Sequence, residues 1–216
     1  MQITDDSLCT VLSVERKAGS AYVRLSDETI LQIPPEICRA LRLKKGMSVR
    51  KDSLTERIGK ASYPSACNRA ASLLSVRNRS VREISSALSR SGYDPETIQK
   101  TIGYLETLDY LNDEAFARDW IRARSAKGIG ANRIRAELVQ KGVSRDIIQD
   151  QLEAVNESGP GSSGALQNCL AKAVRGRDLS DAGEKRKVIQ YALRRGFSYQ
   201  EIKSGLDDII REQDLS

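Results

Sequence analysis

The stretch VQKGVSRDIIQDQLEAV, residues 139–155, decides the fold. Gly142 is followed by an apolar residue, Val143, and then by a helix-capping type, Ser144. Ile148, Leu152 and Val155 come next at i, i+4 and i+7, one face of an α-helix. The same order occurs in SRSGYDPETIQKTIGYL (89–105) and LRRGFSYQEIKSGLDDI (193–209). The aligned glycines Gly92, Gly142 and Gly196 lie 50 and 54 residues apart. Tyr93 and Phe197 match Val143, Asp94 and Ser198 match Ser144, and the apolar sets are Ile98, Ile102, Leu105 and Ile202, Leu206, Ile209.

Upstream of each glycine the pairs Ile84 and Leu88, Ile134 and Leu138, and Val188 and Ala192 keep a four-residue spacing. Each unit therefore reads as a helix, a left-handed glycine stop, a side-chain cap and a second helix. Pro95 suits a first helical turn, and Ser198 with Glu201 suits a capping box. A further helix precedes each pair, around Asn68–Val76, Glu114–Lys127 and Leu166–Val174. The expected fold is mainly α: three tandem three-helix repeats, elongated and curved, of about 50 residues each.

Residues 7–33 alternate as strands instead, in CTVLSVE, AYVRL and TILQI, with turn signals at Gly19-Ser20 and Ser26-Asp27. Pro34-Pro35 introduces a short helix, EICRAL, and LKKGMSV closes with a glycine turn. The expected organisation is a β-rich extension over 1–60 and repeats over 64–110, 111–156 and 165–212. NESGPGSSG (156–164) is rich in Gly and Ser, and a flexible linker is expected over 157–164.

The chain has 216 residues, 39% of them hydrophobic but only ten aromatic, which suits small helical cores. The net charge of +6 favours anionic partners. No apolar run approaches the roughly 18 residues of a membrane span. MQITDDSLCT has neither the basic nor the apolar region of a signal peptide. The four cysteines form no C-x-x-C pair and histidine is absent, so no metal is expected and the cysteines read as small packing residues.

Neither G-x-S-x-G nor G-x-x-x-x-G-K-[ST] occurs, and KGIG (127–130) is too short for a phosphate loop. Asp113 reads as a helix cap and Glu114 as a first-turn acid four residues before Arg118, rather than as metal ligands with Asp109. No enzyme is expected.

Residues 118–145 carry eight Lys or Arg against two acids, and 172–195 eight against three. Such clustering is the footprint of a polyanion or filament contact. On helical spacing Phe116, Trp120 and Ala123 share a core face, with Arg118, Arg122 and Ser125 opposite. The candidate surface is Arg118, Arg122, Arg124, Lys127, Arg133, Arg135 and Lys141, continued by Arg175, Arg177, Arg194 and Arg195. For Lys141, Arg194 and Arg195 an equal reading is a cation complementing a helix C-terminus.

Tyr110-Leu111-Asn112-Asp113, Phe116-Ala117, Lys127-Gly128-x-Gly130, Arg133-Ile134, Glu137-Leu138 and Lys141-Gly142 together resemble the core signature of the RecX family. The likeness extends over roughly residues 65–212. It implies a non-enzymatic modulator, most often an inhibitor, of the RecA recombinase. Such proteins lie along the RecA–single-stranded DNA filament and restrain its ATP hydrolysis, strand exchange and growth in DNA repair, homologous recombination and the SOS response. With neither a signal peptide nor a membrane span the chain reads as cytoplasmic; a monomer without cofactor is expected, and weak direct contact with DNA stays open. The third-unit arginines rest on charge clustering alone.

The runner-up is a sequence-specific DNA-binding regulator, and a third option is a scaffold or chaperone-like adaptor with no nucleic-acid contact. SVREISSALSRSGYDPETIQKTI (80–102) has the shape of a helix-turn-helix, and LQIPPEICRALRLKKGMSV (31–49) resembles the swapped-hairpin barrels of transition-state regulators. Its candidate recognition helix, 95–108, has one Lys and two Glu, a poor match for phosphates.

Overall fold

The structure, a computed structural model, describes residues 8–157 and 161–214, with side chains over 8–155 and 164–211. Among these residues are four strands and ten helices. The chain divides into two compact units, one ending at Leu111 and the other starting at Asn112.

In the first unit, β1 (Leu8–Lys17), β2 (Ser20–Leu25), β3 (Ile30–Ile33) and β4 (Ser48–Arg50) form one antiparallel sheet in the order β3-β2-β1-β4. The β1–β2 turn is Ala18-Gly19, both left-handed, one residue earlier than expected. That geometry matches the twist of the flanking strands. Alternation along β2 buries Ala21, Val23 and Leu25 and turns Tyr22 and Arg24 outward. The short helix α1 (Pro35–Ala40) begins on a proline.

The boundary expected near residue 60 is absent. Helix α2 (Lys51–Leu74) starts directly after β4 and runs through it, with Pro64 in its interior. Leu54, Ser62, Ala66 and Ala70 are buried along it at multiples of four, a continuous helical stripe that the strand-oriented reading stopped short of. Leu54 belongs to the sheet's core, whereas Ala66 and Ala70 belong to that of the first repeat. The helix thus joins sheet and repeat into one body. Helices α3 (Val81–Arg90) and α4 (Pro95–Thr107) complete the repeat around Ile84, Leu88, Tyr93, Ile98, Ile102 and Leu105.

The second unit holds two such repeats. Helices α5 (Asp113–Ser125), α6 (Ala131–Gln140) and α7 (Arg145–Glu157) enclose Phe116, Ile121, Ile134, Leu138, Val143, Ile148 and Leu152. Helices α8 (Gly161–Ala173), α9 (Ala182–Arg194) and α10 (Tyr199–Asp214) enclose Leu170, Val188, Ala192, Phe197, Ile202 and Leu206. Each fully buried Leu or Ile contributes roughly 1.5–3 kcal/mol, so each repeat is held chiefly by its own core. Residues 158–160 of the expected linker lie outside the described residues, and from Gly161 the chain is helical. The expectation for MQITDDS likewise falls outside them.

The repeat logic is carried by its punctuation. Gly92, Gly142 and Gly196 all have φ between 84° and 94°, the left-handed stop. Ser198 and Glu201 form the expected capping box, with Ser198 N donating to Glu201 Oε2 at 2.7 Å and Glu201 N to Ser198 Oγ at 3.2 Å. Asp94 caps α4 through Thr97 N at 2.8 Å.

Candidate binding surface

Helix α5 opens on Asn112, not Asp113. Asn112 Oδ1 accepts from Ala115 N at 2.9 Å, and Asp113 and Glu114 follow in the first turn, where the helix dipole favours acids. The buried face is Phe116, Ala117 and Ile121. Ala123, expected in the core, is exposed, because the buried face runs through Ala117 and Ile121, four residues apart, and Ala123 points away from that line. Arg118 and Arg122 are exposed on the far side of the helix, one turn apart, and neither has an ion pair among the described residues.

Trp120 sits at the edge of this core, half-buried, with its ring 5.9 Å from that of Phe116. Its indole Nε1 donates to Glu137 Oε2 at 3.0 Å. The Arg124 guanidinium lies 4.7 Å from the ring centroid, and the Lys141 ammonium 4.3 Å. Both distances are within cation–π range. Glu137 also lies 2.7 Å from Arg124 Nε and 3.5 Å from Arg133 Nε. Three of the candidate cations are therefore gathered around one tryptophan and one carboxylate. The four-residue spacings of Phe116, Trp120 and Arg124 and of Arg133 and Glu137 were the sequence signals for this cluster, and the Trp120–Glu137 bond had none.

The KGIG segment has a structural task. Helix α6 has no side-chain cap. Instead, its free N–H groups are met by the third repeat: Gly130 N donates to Arg195 O at 2.9 Å and Asn132 N to Gly196 O at 3.1 Å. The carbonyls of the two residues that follow α9 thus satisfy the N-terminus of α6. Two side chains reinforce the joint. Arg133 Nη1 donates to Arg194 O at 3.3 Å, and Arg195 Nη1 to Lys127 O at 3.3 Å. Arg195 is steadied by Tyr191, whose hydroxyl accepts from Nη2 at 2.7 Å and whose ring lies 5.1 Å away. The approach admits no side chain: a Cβ on Gly130 would lie 2.4 Å from the carbonyl carbon of Gly196.

Of the remaining candidates, Arg135 on α6 donates to Asn132 Oδ1 and Gln149 Oε1, both at 3.2 Å. Arg177 pairs with Glu184 at 2.5 Å, and Arg175 is exposed nearby in the α8–α9 turn. Lys187 and Arg177, in that order, hold the Glu184 carboxyl below the usual carboxylate range. These two arginines flank the start of α9, whereas Arg194 and Arg195 end it. At 1.5 Å per residue its 13 residues set them about 20 Å apart. The structure gathers Lys127, Arg133, Arg194 and Arg195 but leaves Arg175 and Arg177 at a distance.

Residues 8–60 hold eleven Lys or Arg against six acids, a third basic stretch that the charge reading of the helices passes over. On α4, the helix of the alternative reading, the single cation Lys100 lies 4.6 Å over the Tyr63 ring. No helix among the described residues is long and apolar enough to cross a membrane.

Sequence comparison agrees with this arrangement. Family profiles for the first, second and third three-helix domains of RecX match residues 66–105, 112–152 and 165–206. The regulatory protein RecX of Prosthecochloris aestuarii is 35% identical over 149 residues, 67% of this chain and 93% of its own. That of Yersinia enterocolitica is 40% identical over 123 residues, 54% of this chain and 68% of its own. The crystal structure of RecX from Lactobacillus salivarius superposes with a TM-score of 0.61 at 26% identity, covering 72% of this chain and 98% of that one. The three matched repeats, with their glycine stops and caps in place, make this chain a member of the RecX family of regulatory proteins.

Proposed function

We propose that this chain is a non-enzymatic regulator of the RecA recombinase that binds the RecA–single-stranded DNA filament and restrains its ATP hydrolysis, strand exchange and growth in DNA repair and recombination. The observation that carries the reading is the pair Arg118 and Arg122. Both stand exposed on the face of α5 opposite its core, without an ion pair among the described residues, and their removal would cost the fold little. Guanidiniums placed this way serve an external anionic surface, and a nucleoprotein filament offers carboxylates and phosphates together. Arg124 and Arg133 differ, since both share Glu137 and thereby help to shape the second repeat.

The test is co-sedimentation of the chain with RecA filaments, compared with its binding to naked single-stranded and duplex DNA. The proposal expects strong preference for the filament, lost in Arg118→Glu with Arg122→Glu while the far-ultraviolet circular dichroism stays unchanged. Selective binding to a duplex sequence without RecA would instead make the chain a DNA-binding regulator.

A further inference from the structure

The geometry points to a composite phosphate-binding site at the joint between the second and third repeats, taking the backbone of single-stranded nucleic acid only while Gly130 and Gly196 are in contact. This deepens the regulatory reading above and rests on it, by naming the chemical group that these cations meet.

Four basic residues from two repeats meet there, Arg133 and Arg195 through their guanidiniums and Lys127 and Arg194 through their main-chain carbonyls. Lys127 and Arg133 come from one side, Arg194 and Arg195 from the other, tied by Arg133 Nη1 on Arg194 O and Arg195 Nη1 on Lys127 O. Both tying guanidiniums are anchored yet unsaturated. Arg195 spends Nη1 on Lys127 and Nη2 on Tyr191, and Arg133 spends Nη1 on Arg194 and Nε on Glu137. A guanidinium has five N–H donors, so each keeps donors in a plane already fixed. Lys127 and Arg194 add exposed side chains with no ion pair among the described residues.

Among the described residues, Glu137 is the carboxylate that pairs with this group. Glu137 is shared with Arg124 and with the Trp120 indole, and Arg133 is the one joint cation it pairs. Such an excess of positive charge needs an anion from outside. A phosphodiester chain fits better than an acidic protein surface. Protein interfaces are built around an apolar centre depleted of charge, whereas a phosphate track needs cations in register and gains its affinity from counterion release.

The dependence on the joint follows from the glycines. Gly130 has φ −80°, a conformation open to any residue, so alanine there suits the second repeat by itself. Its Cβ would nevertheless lie 2.4 Å from backbone of Gly196, and the two repeats must part. Gly130→Ala therefore separates the cations without changing their number.

The experiment uses the full chain and a fluorescent oligothymidylate, without RecA, with anisotropy measured over a series of salt concentrations. Circular dichroism and Trp120 fluorescence report the fold. Lys127→Gln with Arg194→Gln should weaken binding about tenfold and reduce the salt slope by about 1.4, the loss of two single-strand phosphate contacts. Gly130→Ala should lose affinity comparably with its helical signal retained. Equal affinity and slope in the double variant, whose altered side chains make no ion pair among the described residues, overturns the site even if Gly130→Ala fails to fold. A folded Gly130→Ala that binds like the parent overturns the role of the joint. Unchanged oligonucleotide binding with lost RecA binding in the double variant would assign these cations to an acidic protein surface and overturn the proposal as well. A parent chain that binds the oligonucleotide but leaves RecA untouched refutes the regulatory reading, not this one.

Discussion

The indole of Trp120 donates to Glu137 across 3.0 Å, and the same carboxylate lies 2.7 Å from Arg124 Nε. One side chain thus holds the edge of the second core and restrains two of the cations beside it. Glu137→Ala should leave the indole N–H without its partner and the arginines without their counter-charge, costing about 1–3 kcal/mol. Trp120 is the only tryptophan, so its fluorescence follows unfolding in urea and its emission should shift to the red in the variant. Glu137→Gln keeps an acceptor for the indole and should recover part of the loss. An unchanged midpoint in Glu137→Ala would remove the carboxylate from the account of this repeat.

Core and surface substitutions should separate cleanly. Leu138 is fully buried between α6 and its neighbours, and Leu138→Ala should cost about 2–5 kcal/mol, the transfer energy plus the cavity. Arg118→Ala should change stability by no more than about 0.5 kcal/mol. Thermal unfolding of both variants checks the pair. A large loss in Arg118→Ala would mean that the arginine supports the fold, and its use as a probe of binding would end.

The capping box of α10 gives a local test. Ser198→Ala removes the acceptor for Glu201 N and should cost about 1 kcal/mol. Native-state hydrogen exchange should show the change in the first turn of α10 before it appears elsewhere.

The sheet contributes a pH dependence. The Lys51 ammonium, with both the hydroxyl and backbone N–H of Thr29, holds the Asp27 carboxyl at about 2, against an ordinary 3.8. A depressed carboxylate stabilises the folded state above its unfolded pKa. That stabilisation is fully present at neutral pH and is lost as pH falls from about 4 through about 2. Carboxyl-carbon chemical shifts titrated by NMR should place the Asp27 midpoint near 2. A midpoint in the ordinary range would show that the Lys51 contact does not persist in solution.

The three repeats were legible because each repeats one local rule: a left-handed glycine, a cap and a four-residue apolar spacing, all within 17 residues of sequence. The start of α2 was not. Its first turns pack under the sheet through Leu54, and Gly59 and Pro64 weaken the helical signal of that segment. The cap of α5 was misplaced by one residue, since Asn112 and Asp113 are both good capping types and only geometry separates them. Arg118 and Arg122 were legible as an outward pair from helical spacing alone. The joint was invisible, because nothing in KGIG or in RRGF says that residues 66 apart will touch at Gly130 and Gly196. Long-range backbone contact leaves no period in the sequence.

The most direct test of the central claim is RecA's single-strand-dependent ATP hydrolysis, titrated with this chain at fixed DNA and moderate salt, with naked-DNA binding followed in parallel. The account predicts that hydrolysis falls at concentrations too low to coat the DNA, and that Arg118→Glu with Arg122→Glu abolishes the effect while keeping the helical fold. Undiminished hydrolysis, or a fall only once the DNA is saturated, would contradict it.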